Sequence, residues 1–356
     1  MGNRLNDLSD SEEERAKRIH EDAIVIDGTI PVSVYLKDDE YRNNLAQGGI
    51  TAVNFTVTSK GDFQPSVETL QEYWRHVEAD EGKTVILNAD DIRKANEQDD
   101  VGVILSFQNA QPLHMNLDFV RAFHQMGTRV MQLTYNSQNY VGSGCWEDSD
   151  SGLSHFGKDV VAEMNRLGIL VDVSHCGDRT TMEAIEYSED PIAITHASVR
   201  ELSNVHGRGK TDEQIEALAG NGGVIGVTFF PSIIKHDPDT HEALRTTIHD
   251  VLDQIDHVVE VAGVDHVGIG SDLSDKHFEK NISTGGGFGE RHARLTEEHP
   301  EVFSSTSPEE FEPPEGLDRH TKMQNLTRGL VSRGYSDEEI RKILGGNFLR
   351  LFESVW

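Results

Sequence analysis

Two cysteines in 356 residues, Cys145 and Cys176, exclude a framework of paired disulfides and suit a reducing compartment. No run of 18 apolar residues occurs, so no membrane-spanning helix is expected. The opening stretch MGNRLNDLSDSEEERAKRIHED lacks the apolar segment of a signal peptide, and Asn6 stands where a myristoylation motif needs Ser or Thr. A cytoplasmic location is the expectation. Basic residues are also scarce: 32 Lys and Arg against 62 Asp and Glu leave a formal charge of −30. Such an excess repels a phosphate backbone and an anionic membrane surface, so neither is an expected partner. It also repels itself, a penalty that salt near 1 M removes with a Debye length of about 3 Å. A halophilic, salt-rich cytoplasm is the expected home; an acidic surface serving solubility alone is the plainer account.

What is present is a regular alternation of short β-branched runs and helical patterns, the signature of repeated βα units. Eight runs stand out: Ala23–Asp27, Thr51–Val57, Val101–Phe107, Arg129–Leu133, Leu170–Val173, Ile192–Thr195, Val224–Thr228 and His266–Gly270. Eight parallel strands close a (β/α)₈ TIM barrel, and 356 residues fit one such domain with insertions. Thr84–Leu87 is an ambiguous extra strand. An acidic helix is expected over about residues 1–22, and a lid-like loop over about 273–320, where Gly285-Gly286-Gly287 and several prolines interrupt regular structure while Phe288, Phe303 and Phe311 supply apolar anchors. Helices resume at His320–Arg333 and Asp337–Leu344, and Gly345-Gly346 reads as a helix end.

Active sites of such barrels lie at the C-terminal ends of the strands. There the sequence places Asp27, Gln108-Asn109, Thr134-Tyr135-Asn136, His175-Cys176, His196 and Ser271-Asp272. His175 and His196 follow the fifth and sixth apolar runs, on staves about 5 Å apart, so two imidazoles can reach one zinc ion. The bland account makes each a hydrogen-bonded strand-end histidine.

Phe156-Gly157, the run Val160 to Gly168, and Asp172-Val173-Ser174-His175 together resemble the renal (membrane) dipeptidase family. The resemblance continues through Thr195-His196-Ala197-Ser198, Asp212-Glu213-Gln214, Gly222-Gly223-Val224-Ile225-Gly226, Gly268-Ile269-Gly270-Ser271-Asp272 and Gly346-Asn347-Phe348-Leu349-Arg350, spanning about residues 23–352. It implies a barrel of the amidohydrolase type, a zinc dipeptidase activity with two ions bridged by a carboxylate, and a homodimer. It further implies that His175 and His196 hold one metal, that Asp272 is the strand-eight aspartate, and that Arg208 receives the substrate carboxylate.

The chain departs from that pattern at the other metal. The family's first strand ends in Asp-Gly-His-x-Asp, whereas here Asp27-Gly28 is followed by Thr29-Ile30-Pro31; Gln108 replaces the bridging glutamate and Tyr135 a substrate-contacting histidine. One zinc, or none, is therefore expected, with Gln108 or Cys145 as third ligand. Asp272 is the candidate general base and Tyr135 the candidate oxyanion donor, the catalytic pair; Arg208, flanked by Gly207 and Gly209, and Asn136 are the candidate substrate-binding groups. The expected function is hydrolysis of a dipeptide or related small amide with a free carboxylate. The alternative is a non-hydrolytic descendant that binds a small amino-acid-like ligand, and a weaker third is a metal-free hydrolase with Cys145 as nucleophile near His175.

Overall fold

The computed structural model describes residues 8–31, 39–58, 61–205, 207–237, 239, 243–273, 275 and 312–356. The lid expected over 273–320 lies mostly outside the described residues. Nine strands occur among those described: β1 (Ile26–Ile30), β2 (Ala52–Thr58), β3 (Lys83–Val85), β4 (Val101–Phe107), β5 (Thr128–Gln132), β6 (Leu170–Asp172), β7 (Ala193–Ala197), β8 (Val224–Val227) and β9 (Val267–Ile269). Every pairing is parallel, and β2 joins β4 while β1 joins β9, so eight strands close a barrel in the order β1-β2-β4-β5-β6-β7-β8-β9. The ambiguous run forms β3, which pairs only with the start of β4 and stands outside the ring.

Helices wrap the barrel because each carries one apolar stripe. In His155–Leu167 the residues Val160, Val161 and Met164 are buried; Ser154 caps its start by accepting from Gly157 N–H, and Gly168 at φ 73° ends it. Capping boxes at Ser9, Thr211 and Thr247 start the helices Asp10–Asp22, Asp212–Gly220 and Ile248–Ala262. Most strand bounds shift by one or two residues from expectation, and two boundaries differ more. β1 begins at Ile26 because the first helix runs to Asp22 and pairing with β2 starts at Ile26 opposite Ala52. Gly345-Gly346 does not end the helical run but forms a wide turn, where a Cβ on Gly345 would lie 2.4 Å from the Ile24 carbonyl, and the helix Asn347–Val355 follows.

That last helix plugs one end of the barrel. Ile26, Ala52, Ile104, Val130, Leu170, Ala193 and Val224 form one buried cluster with Phe348, Leu351 and Phe352. Strand side chains alternate, so the positions two residues further on share the same inward face. These are polar or glycine: Gly28, Asn54, Ser106, Gln132, Asp172, Thr195 and Gly226. The barrel is apolar at its floor and polar towards the C-terminal ends of its strands.

Beside β1, three buried groups distant in sequence meet. His320 Nε2 lies 3.2 Å from Asp27 Oδ2, and its Nδ1 lies 3.0 Å from Asp275 Oδ1. Both ring nitrogens face carboxylates, which only an imidazolium satisfies. Burial alone lowers the His320 pKa, but the hydrogen bonds to Asp27 and Asp275 override it and raise it to about 9. A histidine raised in the folded state stabilises fully below its unfolded pKa of about 6.5, and that contribution is lost as pH climbs through about 9. The shift corresponds to about 3 kcal/mol. Chemical denaturation at pH 6.5 and 9.5 should therefore show the parent losing roughly this amount across the interval, and His320→Gln should flatten the loss. An equal loss in both proteins would disprove the imidazolium.

Candidate active site

His175 and His196 reach one point by different routes. His175 lies three residues beyond β6 in a turn ordered by Asp172, whose Oδ1 accepts from Ser174 N–H at 3.0 Å and Ser174 Oγ at 2.5 Å. His196 lies within β7, where register with β8 shifts between Ile194 and Ala197. Such a bulge re-aims side chains. It is possible here because the Thr195 carbonyl leans inward: a Cβ on Gly28, Gly226 or Gly270 would sit 2.6, 2.1 or 1.9 Å from it. Glycine on β1, on β8 and just after β9 is thus what lets His196 turn inward.

The two Nε2 atoms lie 2.9 Å apart, with ring centroids at 5.0 Å. Both Nδ1 atoms are committed as donors. His175 Nδ1 donates to Asn136 Oδ1 at 2.5 Å. His196 Nδ1 lies 3.0 Å from Thr29 Oγ1 and 2.9 Å from Thr195 Oγ1. Those hydroxyls send their own protons elsewhere, Thr29 to the Gly28 carbonyl and Thr195 to Asp172 Oδ2, so they accept from His196. Both histidines therefore present Nε2 lone pairs to each other. Burial first, then Arg208, hold both pKa values well below the usual histidine range, so neither ring carries a second proton at neutral pH.

Two facing lone pairs fit one ion: tetrahedral Zn–N bonds of about 2.0–2.1 Å place two nitrogens about 3.3 Å apart, a slight opening of the pair. The first-strand position does not fit a second ion. Thr29 is occupied with His196 and Gly28, Pro31 offers no ligand atom, and Asp27 accepts from Ser271 and His320. Among the described residues, the one cluster of three His, Cys, Asp or Glu ligand atoms within 4.8 Å of one another is Glu201, Asp212 and His257, away from this pair. Cys145 does not join the histidine pair in such a cluster: its thiol donates to Asn136 Oδ1 at 3.5 Å. Burial raises the thiol pKa of Cys145 and pushes that of Cys176 to about 12, so neither is a ready thiolate nucleophile.

The other expected residues surround the pair. Arg208 is buried, with Nη1 donating to the Ser174 carbonyl at 2.9 Å and Nη2 to the His196 carbonyl at 2.8 Å; Nη2 also lies 3.3 Å from His175 Nε2. Tyr135 stacks on the His175 ring at 4.3 Å and 22°. Asn136 holds φ at 61°, a left-handed value that asparagine tolerates, and its carbonyl accepts from Trp146 N–H. Asp272, at φ 56°, donates its N–H to the Thr29 carbonyl, and its Oδ1 is buried without a partner among the described residues. Burial pushes its pKa to about 7, against the opposing pull of Arg208 and with help from Asp27. Gln108 follows β4, and its Nε2 is likewise buried and unpaired.

Sequence reasoning passed over Thr29, Asp172 and Thr195, which set the histidine orientations, and Lys210. Lys210 Nζ donates to the Cys176 carbonyl and Thr181 Oγ1, both at 3.0 Å, and burial lowers its pKa to about 8. The signal for Asp172 and Thr195 was a carboxyl or hydroxyl just before each strand-end histidine; nothing in the local sequence ties Thr29 to His196 or marks Lys210 as buried.

Known proteins resemble this chain in fold and sequence. An amidohydrolase from Pseudomonas aeruginosa is 33% identical with a TM-score of 0.82, covering 96% of this chain and 99% of that one. A metallo peptidase from Rhodobacter sphaeroides, liganded with a phosphinate mimic of the dipeptide L-Ala-D-Ala, shares the fold at 20% identity and a TM-score of 0.75, covering 94% and 100%. In sequence, an uncharacterized dipeptidase of Schizosaccharomyces pombe is 33% identical over 72% of this chain and 53% of its own length. Dipeptidase tcpJ of Claviceps purpurea is 29% identical over 76% of this chain and 56% of its own, so the chain spans about half the length of these relatives. No helix among the described residues is long and apolar enough to cross a membrane. With residues 13–283 and 305–356 matching the family described as membrane dipeptidase (peptidase family M19), the chain belongs to that family.

Proposed function

We propose that this chain hydrolyses the amide bond of a dipeptide or related small amide ending in a free carboxylate, with His175 and His196 holding a single zinc ion. The observation that carries the reading is the meeting of two Nε2 lone pairs, each fixed by a hydrogen bond on the far side of its ring. Gln108, in the position of the family's bridging glutamate, is the neutral third ligand through its carbonyl oxygen. An ion bound there supplies Lewis-acid activation of water and of the scissile carbonyl.

The chain's own residues do the rest. Asn136, Thr29 and Thr195 keep both imidazoles in the tautomer with Nε2 bare. Arg208 has spent two of its five N–H donors on the Ser174 and His196 carbonyls, and the remainder receive the substrate carboxylate. The Tyr135 phenol, held against His175, donates to the oxygen on which charge develops. Asp272 takes the proton from water. With its pKa at about 7 it must be ionised to accept, so kcat/KM should fall tenfold per unit below pH 7 and level off above. Asp272→Asn should cost about 10²–10⁴-fold at pH 8. An acidic limb near pH 4 would remove Asp272 from this role.

One observation favours the binding protein instead: the Arg208 guanidinium stands 3.3 Å from His175 Nε2 and sets a cation against the pair. Metal analysis of purified chain, with a dipeptide panel assayed at high salt with and without chelator, separates the two. One zinc per chain, lost in His175→Ala, with chelator-sensitive hydrolysis supports the enzyme. No metal and no turnover, with retained binding of amino-acid-like anions, supports the binder.

A further inference from the structure

Four buried polar atoms on one sector of the barrel wall have no hydrogen-bond partner among the described residues: Asn54 Oδ1, Thr56 Oγ1, Gln108 Nε2 and Gln132 Oε1. The four residues are at most 5% exposed. They are neighbours: β2 pairs directly with β4, Gln108 N–H donates to the Thr58 carbonyl, and Gln132 Nε2 donates to the Gln108 carbonyl. In a ring of eight strands, β2 faces β7 across the axis, so this sector looks towards His196. An unpaired buried group is costly, and native proteins keep few. Four in one sector beside a reaction centre mark a place for the polar group of a ligand.

The sector is neutral, made of amides and a hydroxyl. Asp27 is already taken by Ser271, Thr29 and His320, and Asp272 faces Arg208. Across the barrel stand two buried cations, Arg208 and Lys210. A free α-ammonium entering this sector would lose its water and find only neutral partners there, whereas a hydroxyl or amide can pair with both the donor and the acceptors on offer.

Resting on the hydrolase reading above, we infer that Asn54, Thr56, Gln108 and Gln132 form a neutral subsite for the acyl side of the substrate. The preferred substrates are then amino acids N-acylated by a group bearing a hydroxyl or amide where a dipeptide has its ammonium. Hydrolysis joins water's oxygen to the acyl carbon and breaks the C–N bond. The acyl part leaves as a carboxylate and the amino acid as its zwitterion, which keeps charge and atoms in balance.

The test is a pair of substrates that differ in one group: N-lactoyl-alanine, with a hydroxyl, and alanyl-alanine, with an ammonium. At pH 7 the full chain should show at least tenfold higher kcat/KM on the lactoyl compound. Thr56→Val should lower that ratio, and Gln108→Glu should invert it. The ratio is read on one enzyme sample, so metal loading cancels. Faster turnover of alanyl-alanine by the parent overturns the subsite and leaves the hydrolase standing. If neither is cleaved, calorimetry with the same two compounds decides: tighter binding of lactoyl-alanine, lost in Gln108→Glu, upholds the subsite while the hydrolase reading falls, and absence of binding overturns both.

Discussion

Replacing His196 with alanine should lower kcat/KM by about 10³-fold, the equivalent of about 4 kcal/mol of transition-state stabilisation. The size follows from the position of its Nε2, which faces His175 Nε2 at 2.9 Å and is one of two imidazole lone pairs on which the proposed centre depends. His175→Ala should match it, and the double variant should be hardly worse than either, because groups acting as a unit are not additive. Zinc content should fall with activity in each. His196 is fully buried, so the melting temperature must be followed alongside to separate a lost ligand from a loosened fold. A His196→Ala protein that stays folded and keeps more than a tenth of the parental rate would remove the histidine pair from the chemistry.

Substituting methionine for Arg208 should cost about 2–4 kcal/mol in kcat/KM, or about 30- to 1,000-fold, on substrates ending in a carboxylate. The guanidinium is buried and anchored to the Ser174 and His196 carbonyls, which presents its remaining donors in a fixed fork. Those anchors also give it a structural part, so the decisive comparison uses a substrate whose carboxylate is capped as a carboxamide. Parent and variant should differ little on the capped compound. Lysine should not rescue the loss, since an ammonium cannot reproduce a bidentate fork. An equal deficit on capped and uncapped substrates would show that Arg208 only supports the histidines.

These two effects depend on different layers of the molecule. The strand-end positions of His175 and His196 are visible as apolar runs closing on a polar residue, and the eight runs predict the barrel that forms, β3 included as an outlier. Hidden from local pattern were the carbonyl of Thr195 leaning across three glycines and the aspartates gathered on His320, since each brings a β1 residue, Gly28 or Asp27, against a segment more than a hundred residues away. Cys145 illustrates the same limit. Its nearness to His175 in the fold was anticipated, yet its thiol turns to Asn136 and burial keeps it protonated, which no spacing rule conveys.

By itself, the sequence determined the strand count, the inward polarity of the barrel mouth, the charge of −30 and the loss of the first-strand metal ligands, because each follows from which side chains exist and at what period they recur. Only the tertiary structure decided which nitrogens face each other, which hydroxyls hold them there, and which carboxylate is left unpaired. Those properties arise from distance and dehydration between residues far apart in the chain, and neither is written in any local stretch of it.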